Sequence, residues 1–218
     1  MISVAVVGCR TSGNLGAIAR VMANFGLEKL FIINPECEVI TDESKARAMR
    51  AFSILQKAAM AKDLSDIGAD YLIATSAKLG TGNNLRRVYL TPEQLSKNID
   101  NKLHYCIVLG REDKGLFNDE IKNCNLLVHI PTSKSYKAMN ISHSLAIILY
   151  ELFRQKEEIK QVANRRERRA VLLRLEAASG NVDNFENFRE VFENLMNRAF
   201  IRKKEARALA GLFKKIKN

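Results

Sequence analysis

The sequence predicts an α/β fold: a parallel sheet with helices between its strands, followed by a small all-helical extension. Three observations carry this. Short apolar runs bounded by turn residues alternate with amphipathic stretches over the first two thirds of the chain. From Phe153 onward no strand pattern occurs, only helical periodicity. Charge divides the same way, since residues 1–150 hold 18 Lys and Arg against 14 Asp and Glu, whereas residues 151–218 hold 17 against 10. The expected domains are therefore an α/β body over residues 1–158 and a basic helical extension over residues 159–218.

Ser3–Val7 is a short apolar strand that ends in the turn Gly8-Cys9-Arg10-Thr11-Ser12-Gly13, and a helix runs from about Asn14 to Phe25. The unit looks phosphate-binding, but two motifs fail. A P-loop needs Lys and Ser/Thr after its second Gly, where this chain has Asn14-Leu15; the dinucleotide fingerprint needs GxGxxG, and Gly8, Gly13 and Gly16 are spaced otherwise. That leaves a nicotinamide oxidoreductase without support. Leu15, Ile18, Met22 and Phe25 form the helix's apolar stripe, and Arg20 projects from the opposite side. Arg20 reads either as a solvated surface charge or as a side chain reaching a phosphate or a subunit interface.

Strand two is Leu30–Ile33, ended by Asn34-Pro35, and helices follow at Asp42–Arg50 and Ser53–Ala61. Strand three, Tyr71–Thr75, runs into Ser76-Ala77-Lys78 and the Gly-rich, basic loop Leu79–Arg87. Thr91-Pro92 starts a helix, with Thr as cap and Pro at the first position. Strand four, Tyr105–Leu109, leads to Gly110-Arg111-Glu112-Asp113-Lys114-Gly115-Leu116, and a helix around Asn118–Asn123 precedes strand five, Leu126–Ile130, which Pro131 stops. After a polar loop, Asn140 caps a helix whose stripe is Ile141, Leu145, Ile148, Leu149 and Leu152. Asn140 then faces the crevice beyond the C-terminal strand ends, where parallel sheets bind ligands. An ordinary capped strand–loop–helix unit is the other reading.

In the extension, Gln155–Glu176 reads as the long helix continuing or as a separate segment, and Ala178-Ser179-Gly180-Asn181 breaks it. Asp183–Phe200 and Lys203–Ile216 are amphipathic helices. Phe188, Val191, Phe192, Leu195 and Met196 form the apolar face of the first; Leu209, Leu212, Phe213 and Ile216 form that of the second. Arg165, Arg166, Arg168 and Arg169 make one basic cluster, and Arg202, Lys203, Lys204 and Arg207 a second. Together with a net charge of +11, they point to a polyanionic partner, with nucleic acid ahead of an anionic membrane surface and a plainly solvated face as the remaining reading.

Composition narrows the classes further. At 47% hydrophobic residues the chain is globular, and no apolar run approaches the roughly 18–20 residues needed to span a bilayer. The N-terminus lacks a basic flank and reads as a strand, not a signal peptide. Cys9, Cys37, Cys106 and Cys124 show no CxxC spacing, so reduced thiols in a cytoplasmic protein are expected. His104, His129 and His143 give no zinc pattern; no metal is expected.

Three segments fall at strand ends: Asn14-Leu15-Gly16-Ala17-Ile18-Ala19-Arg20, then Val108 through Leu116, then Ile130-Pro131 with Met139-Asn140-Ile141-Ser142. In this order and spacing they resemble the three motifs of the SpoU (TrmH-like) branch of the SPOUT methyltransferases. The pieces NLGAIAR, TSA, LGREDKGL and MNIS, followed by a helical extension, look most like its TrmJ group. The resemblance implies S-adenosylmethionine-dependent methylation of the ribose 2′-hydroxyl at the first nucleotide of the tRNA anticodon loop, a cytidine or uridine. It implies a trefoil knot in the sheet domain and a homodimer with shared active sites. Cofactor contacts would come from Thr75, Ser76, Ala77, Leu109, Gly110, Ile130, Ala138, Met139 and Asn140, mostly through backbone atoms. Asn14, Arg20, Glu112, Asn140 and Ser142 would surround the reacting ribose, with Arg20 at the family's catalytic arginine. Ala138 departs from the family's frequent Ser and removes a hydroxyl there. A guanidinium has an intrinsic pKa above about 12 and makes a poor base. Arg20 is thus expected to hold a phosphate and stabilise the developing alkoxide, oriented by Glu112 and Asn140. Ribosomal RNA or another tRNA site as substrate, base methylation, and a non-catalytic RNA-binding protein are the competing readings.

Overall fold

The computed structural model describes residues 1–77, 89–154, 161–180 and 184–216. The Gly-rich loop at 79–87, the expected helix starts at Gln155 and Asp183, and the expected domain boundary lie outside the described residues. The chain divides into two compact units. One comprises Met1–Lys97 with His104–Glu157, the other Asn98–Leu103 with Glu158–Asn218.

The first unit is built on a six-stranded sheet. Its strands are β1 (Ile2–Val7), β2 (Leu30–Ile33), β3 (Ala59–Ala61), β4 (Tyr71–Thr75), β5 (Tyr105–Leu109) and β6 (Leu126–Val128). They lie in the order β3-β2-β1-β5-β4-β6, and every pairing is parallel. The central strands are predominantly apolar because both faces are covered, with Ser3 of β1 a buried exception. On one face Ala5, Val7, Phe31, Ile33, Ala74 and Val108 form a core with Leu64, Ile67 and Leu116. The alternate residues Val4, Val6, Ile32, Ile73 and Ile107, all buried, point to the other face. Buried stripes also mark α1 (Ser12–Asn24), through Leu15, Ile18 and Met22, and α6 (Ile141–Arg154), through Leu145, Ile148 and Leu149. α1 packs on α2 (Asp42–Ala48) and on α6, and α6 also meets α4 (Pro92–Ser96). Tyr71 and Tyr105, paired in register and fully buried, stack with centroids 5.2 Å apart.

Some expected elements differ. The helix anticipated over Ser53–Ala61 ends at Gln56 as α3 (Phe52–Gln56), and Ala59–Ala61 is instead the edge strand β3, pairing Phe31 with Ala59 and Ile33 with Ala61. Ala-rich sequence favours helix locally; the open edge of β2 supplies backbone partners that override this preference. Strand five is also shorter than expected. It ends at Val128, and the backbone N–H of His129 donates to Leu90 O at 3.0 Å. α5 (Asn118–Lys122) precedes it. The caps agree with the sequence. Thr91 closes a capping box with Gln94, with Pro92 opening α4, and Asn140 Oδ1 accepts from Ser142 N at 2.9 Å at the start of α6.

The second unit holds α7 (Arg165–Ser179), α8 (Phe185–Arg198) and α9 (Lys203–Ile216). α7 is a separate segment, not a continuation of α6. Asn164 caps it in a capping box with Glu167, and the residues before it pair with residues 201–203 through Ala163 N to Ile201 O and Lys203 N to Gln161 O. Val171, Leu172, Met196, Ile201 and Ala206 form the core, with Phe192, Leu209 and Phe213 against it. Asp100, itself buried, accepts from Val162 N at 3.2 Å, which accounts for Asn98–Leu103 grouping with these helices. The expected apolar face of α8 divides. Met196 is buried and Phe192 half-buried, whereas Phe188, Val191 and Leu195 are exposed.

Candidate active site

Strand order reverses between β1 and β5, the position at which an α/β sheet opens a crevice beyond its C-terminal strand ends. Glu112, two residues past Gly110 in the loop after β5, fills this position. Its carboxylate accepts from five donors on the loop after β1 and the first turn of α1: Arg10 N at 3.1 Å, Thr11 N at 3.2 Å, Thr11 Oγ1 at 2.8 Å, Asn14 Nδ2 at 2.8 Å and Cys9 Sγ at 3.3 Å. Partial burial works against the charged form, but the hydrogen bonds from Asn14, Thr11 and the backbone outweigh it and bring the Glu112 pKa down to about 2. A carboxylate so well supplied with donors is an anchor and a weak base. Burial, with Glu112 beside it, pushes the Cys9 thiol up, so Cys9 serves as a donor and not as a nucleophile.

The network continues in one direction. Because Asn14 Nδ2 donates to Glu112, Asn14 Oδ1 is the acceptor, and Asn140 Nδ2 donates to it at 3.0 Å. Asn140 Oδ1 in turn accepts from Ser142 N and from Ser142 Oγ at 2.7 Å. Ser142, Asn140, Asn14 and Glu112 thus form a chain in which each member donates to the next. It ties the start of α6 to the start of α1 and to the loop after β5. Both amide orientations follow from the ends of the chain.

The loop carrying Glu112 is held from beneath. Gly115 N donates to Arg111 O at 2.9 Å, and Arg111 N to Gly115 O at 3.2 Å, with Gly115 at φ +68°. A Cβ at Gly110 would run into the backbone of Gly115 and Leu116, so the fold-back requires glycine there. Arg111 Nη1 meets both Glu120 oxygens at 3.0 Å, and the guanidinium lies 3.9 Å from the Phe117 ring centroid. Arg10 bridges Glu36, at 2.8 Å, and Asp113.

The residues expected to hold a cofactor lie along the adjoining strand ends. Thr75 ends β4 and Ser76 follows it, Leu109 ends β5 and Gly110 follows it, and Ile130 lies two residues past β6. Leu109 and Gly110 are buried, Thr75, Ser76, Ile130 and Met139 half-buried, and Ala77, Ala138 and Asn140 exposed. Thr75 Oγ1 donates to Val108 O at 3.0 Å, tying β4 to β5 above the last ladder pair.

Arg20 stands apart. It is exposed on α1, six residues and roughly 9 Å of helix rise beyond Asn14. Among the described residues no hydrogen bond or ion pair joins it to Glu112 or Asn140, so within one chain these two orient Asn14 and not Arg20. Of the basic candidates, Arg165, Arg166, Arg169, Arg202, Lys204 and Arg207 are exposed and Lys203 half-buried. Arg168 is a correction: it is buried, and its Nη1 donates to Ala163 O at 2.8 Å, so it braces the start of α7 and is unavailable to a phosphate. Thr11, Cys9 and Arg111 are site residues the sequence reasoning missed. The Thr preceding a helix start was a readable signal; the contact to Glu112, 101 positions away, was not.

Residues 1–150 match the model of the SpoU rRNA Methylase family. The chain is 42% identical, over 98% of its length and 99% of the other's, to a protein of Methanocaldococcus jannaschii named tRNA (cytidine-2′-O-)-methyltransferase TrmJ. A protein of the same name from Sulfolobus acidocaldarius is 31% identical over 66% of this chain and 61% of its own. Among solved structures, TrmJ from Z. mobilis superposes with a TM-score of 0.70 over the full length of both chains at 20% identity, a likeness of fold.

Proposed function

This chain belongs to the SpoU rRNA Methylase family, and we propose that it is an S-adenosylmethionine-dependent tRNA 2′-O-ribose methyltransferase acting on the first nucleotide of the anticodon loop. The observation that carries this is the donor chain from Ser142 to Glu112, which joins all three motif segments at one crevice in a protein 42% identical to a named tRNA 2′-O-methyltransferase.

The residues present fit the cofactor. The ends of β4, β5 and β6 offer backbone groups of Thr75, Ser76, Ala77, Leu109, Gly110 and Ile130, and the segment before α6 those of Ala138, Met139 and Asn140. When bound, S-adenosylmethionine supplies an electrophilic sulfonium methyl. This chain's residues supply alignment. Glu112 stays ionised and fixes Asn14, Asn14 fixes Asn140, and Asn140 caps α6 beside the Met139 backbone, so loops from three parts of the chain hold one geometry. Arg20 holds a phosphate next to the target ribose and stabilises negative charge developing on the 2′-oxygen.

Because Arg20 lies away from the Glu112 network of its own chain, the site is completed in a homodimer by the partner's Arg20. The exposed Ile147, Tyr150 and Phe153 on α6, with Phe153 meeting Phe25 at 5.4 Å, support a subunit contact on the α1–α6 side. In this reading the trefoil knot forms where the last helix of the sheet domain threads through the loop that holds the cofactor. The exposed arginines and lysines of the helical unit supply salt-dependent, largely sequence-independent RNA affinity.

The family's rRNA description favours ribosomal RNA as the second reading. Labelled S-adenosylmethionine incubated with separate tRNA and ribosomal RNA pools decides between them. Transfer to tRNA is expected, and transfer to ribosomal RNA alone would replace the substrate.

A further inference from the structure

His129 takes no part in the donor chain, and it is not among the residues the family resemblance assigns. It is 6% exposed at the end of β6. Its Nδ1 lies 2.9 Å from Ser76 O. A carbonyl oxygen only accepts, so Nδ1 carries the proton and donates. The His129 backbone N–H donates to Leu90 O, and the Tyr89 ring meets the imidazole at 67° with centroids 5.1 Å apart. One side chain therefore fastens the end of β4 to the end of β6, while Tyr89 and Leu90 flank it. The regular β4–β6 ladder stops at Thr75 and Val128, with Ser76 N donating to Val128 O at 3.0 Å. The imidazole bond lies one residue beyond that point on each strand, between His129 and Ser76.

We propose that His129 is a positioning residue for the cofactor: by donating to Ser76 O it sets the spacing between the Thr75–Ala77 rim and the Ile130 rim. The inference rests on the reading of this rim as the S-adenosylmethionine site. Thr75, which bonds Val108 O, does the same between β4 and β5, so among the described residues side-chain bonds from Thr75 and His129 link the three strand ends. Such a residue acts on cofactor affinity and leaves the chemical step alone, because it touches neither the methyl acceptor nor the Glu112 network.

The test measures binding of S-adenosylhomocysteine by calorimetry and steady-state methyl transfer for wild type, His129→Leu and His129→Asn. Leucine keeps the volume without the donor; asparagine places an amide N–H near the position of Nδ1. The loss of a buried donor to a carbonyl is expected to weaken S-adenosylhomocysteine binding and raise the KM for S-adenosylmethionine about tenfold in His129→Leu. The expected kcat at saturation stays within about twofold, and His129→Asn recovers to within about threefold of wild type. Equal binding by wild type and His129→Leu overturns the proposal. So does equal weakening of the Leu and Asn variants, which would mean a packing role, or a fall in kcat with KM unchanged. If His129→Leu does not fold, His129→Met replaces it; if neither folds, His129→Asn decides alone, and a loss above about tenfold overturns the proposal. Wild type that fails to bind S-adenosylhomocysteine refutes the reading of the rim itself and is distinguishable from all of these.

Discussion

Replacing Glu112 by Gln tests whether the carboxylate is an anchor. Five donors converge on it, and its pKa falls from 4.5 to about 2. Linkage would convert that difference to roughly 3 kcal/mol of stability for a fully desolvated group. Glu112 is half-buried, and solvent screening reduces the contribution to about 1–2 kcal/mol. Its folded pKa is depressed, so the contribution is complete above about pH 4.5 and is lost as pH falls toward 2. Urea unfolding of wild type and Glu112→Gln across that range is the assay. The wild type is expected to be more stable by about 1–2 kcal/mol at pH 7, with the gap closing between pH 4.5 and 2. A gap that persists unchanged at pH 2, or that opens on acidification, refutes the anchor argument.

Gly110→Ala sets a methyl against the Gly115 and Leu116 backbone, and a loss of about 1–3 kcal/mol in thermal unfolding is expected together with weakened S-adenosylhomocysteine binding. Mixing Arg20→Ala and Glu112→Gln subunits, each poorly active alone, is expected to restore up to about a quarter of wild-type transfer if sites are shared between chains; additive residual activity would argue for sites complete within one chain. Changing the exposed Arg165, Arg166 and Arg169 together to Ala is expected to reduce the slope of log affinity against log salt by about 2–3 in tRNA binding. Arg168→Ala, at the buried position, is instead expected to lower the melting temperature of the helical unit.

The fold was largely legible because its strands are short apolar runs punctuated by Gly, Asn and Pro, and its helices carry strong stripes. Lys203–Ile216 has the same bounds in sequence and structure. What failed were elements decided by neighbours distant in the chain. β3 is a strand only because β2 offers an open edge, and α8 shows Phe188, Val191 and Leu195 to solvent although their spacing reads as a core stripe. Arg168 was misplaced for a different reason. Composition grouped it with its basic neighbours, yet Val171 and Leu172 follow it at helical spacing and are buried, so helical phase already put it on the inner face. For the site, Asn14, Glu112 and Asn140 came from motif resemblance, and the structure joins them. The bond of Cys9 and Thr11 to Glu112, and of His129 to Ser76, spans 53 to 103 positions and leaves no local pattern.

The proposed activity comes down to the chemistry of one nucleotide. Transfer of a labelled methyl group to tRNA, followed by alkaline hydrolysis and nuclease mapping, tests it most directly, because a 2′-O-methyl group blocks cleavage of the adjoining phosphodiester. One labelled, alkali-resistant dinucleotide beginning at the first nucleotide of the anticodon loop is expected. Label recovered on a base, or no transfer to tRNA by protein that binds S-adenosylhomocysteine, would contradict it.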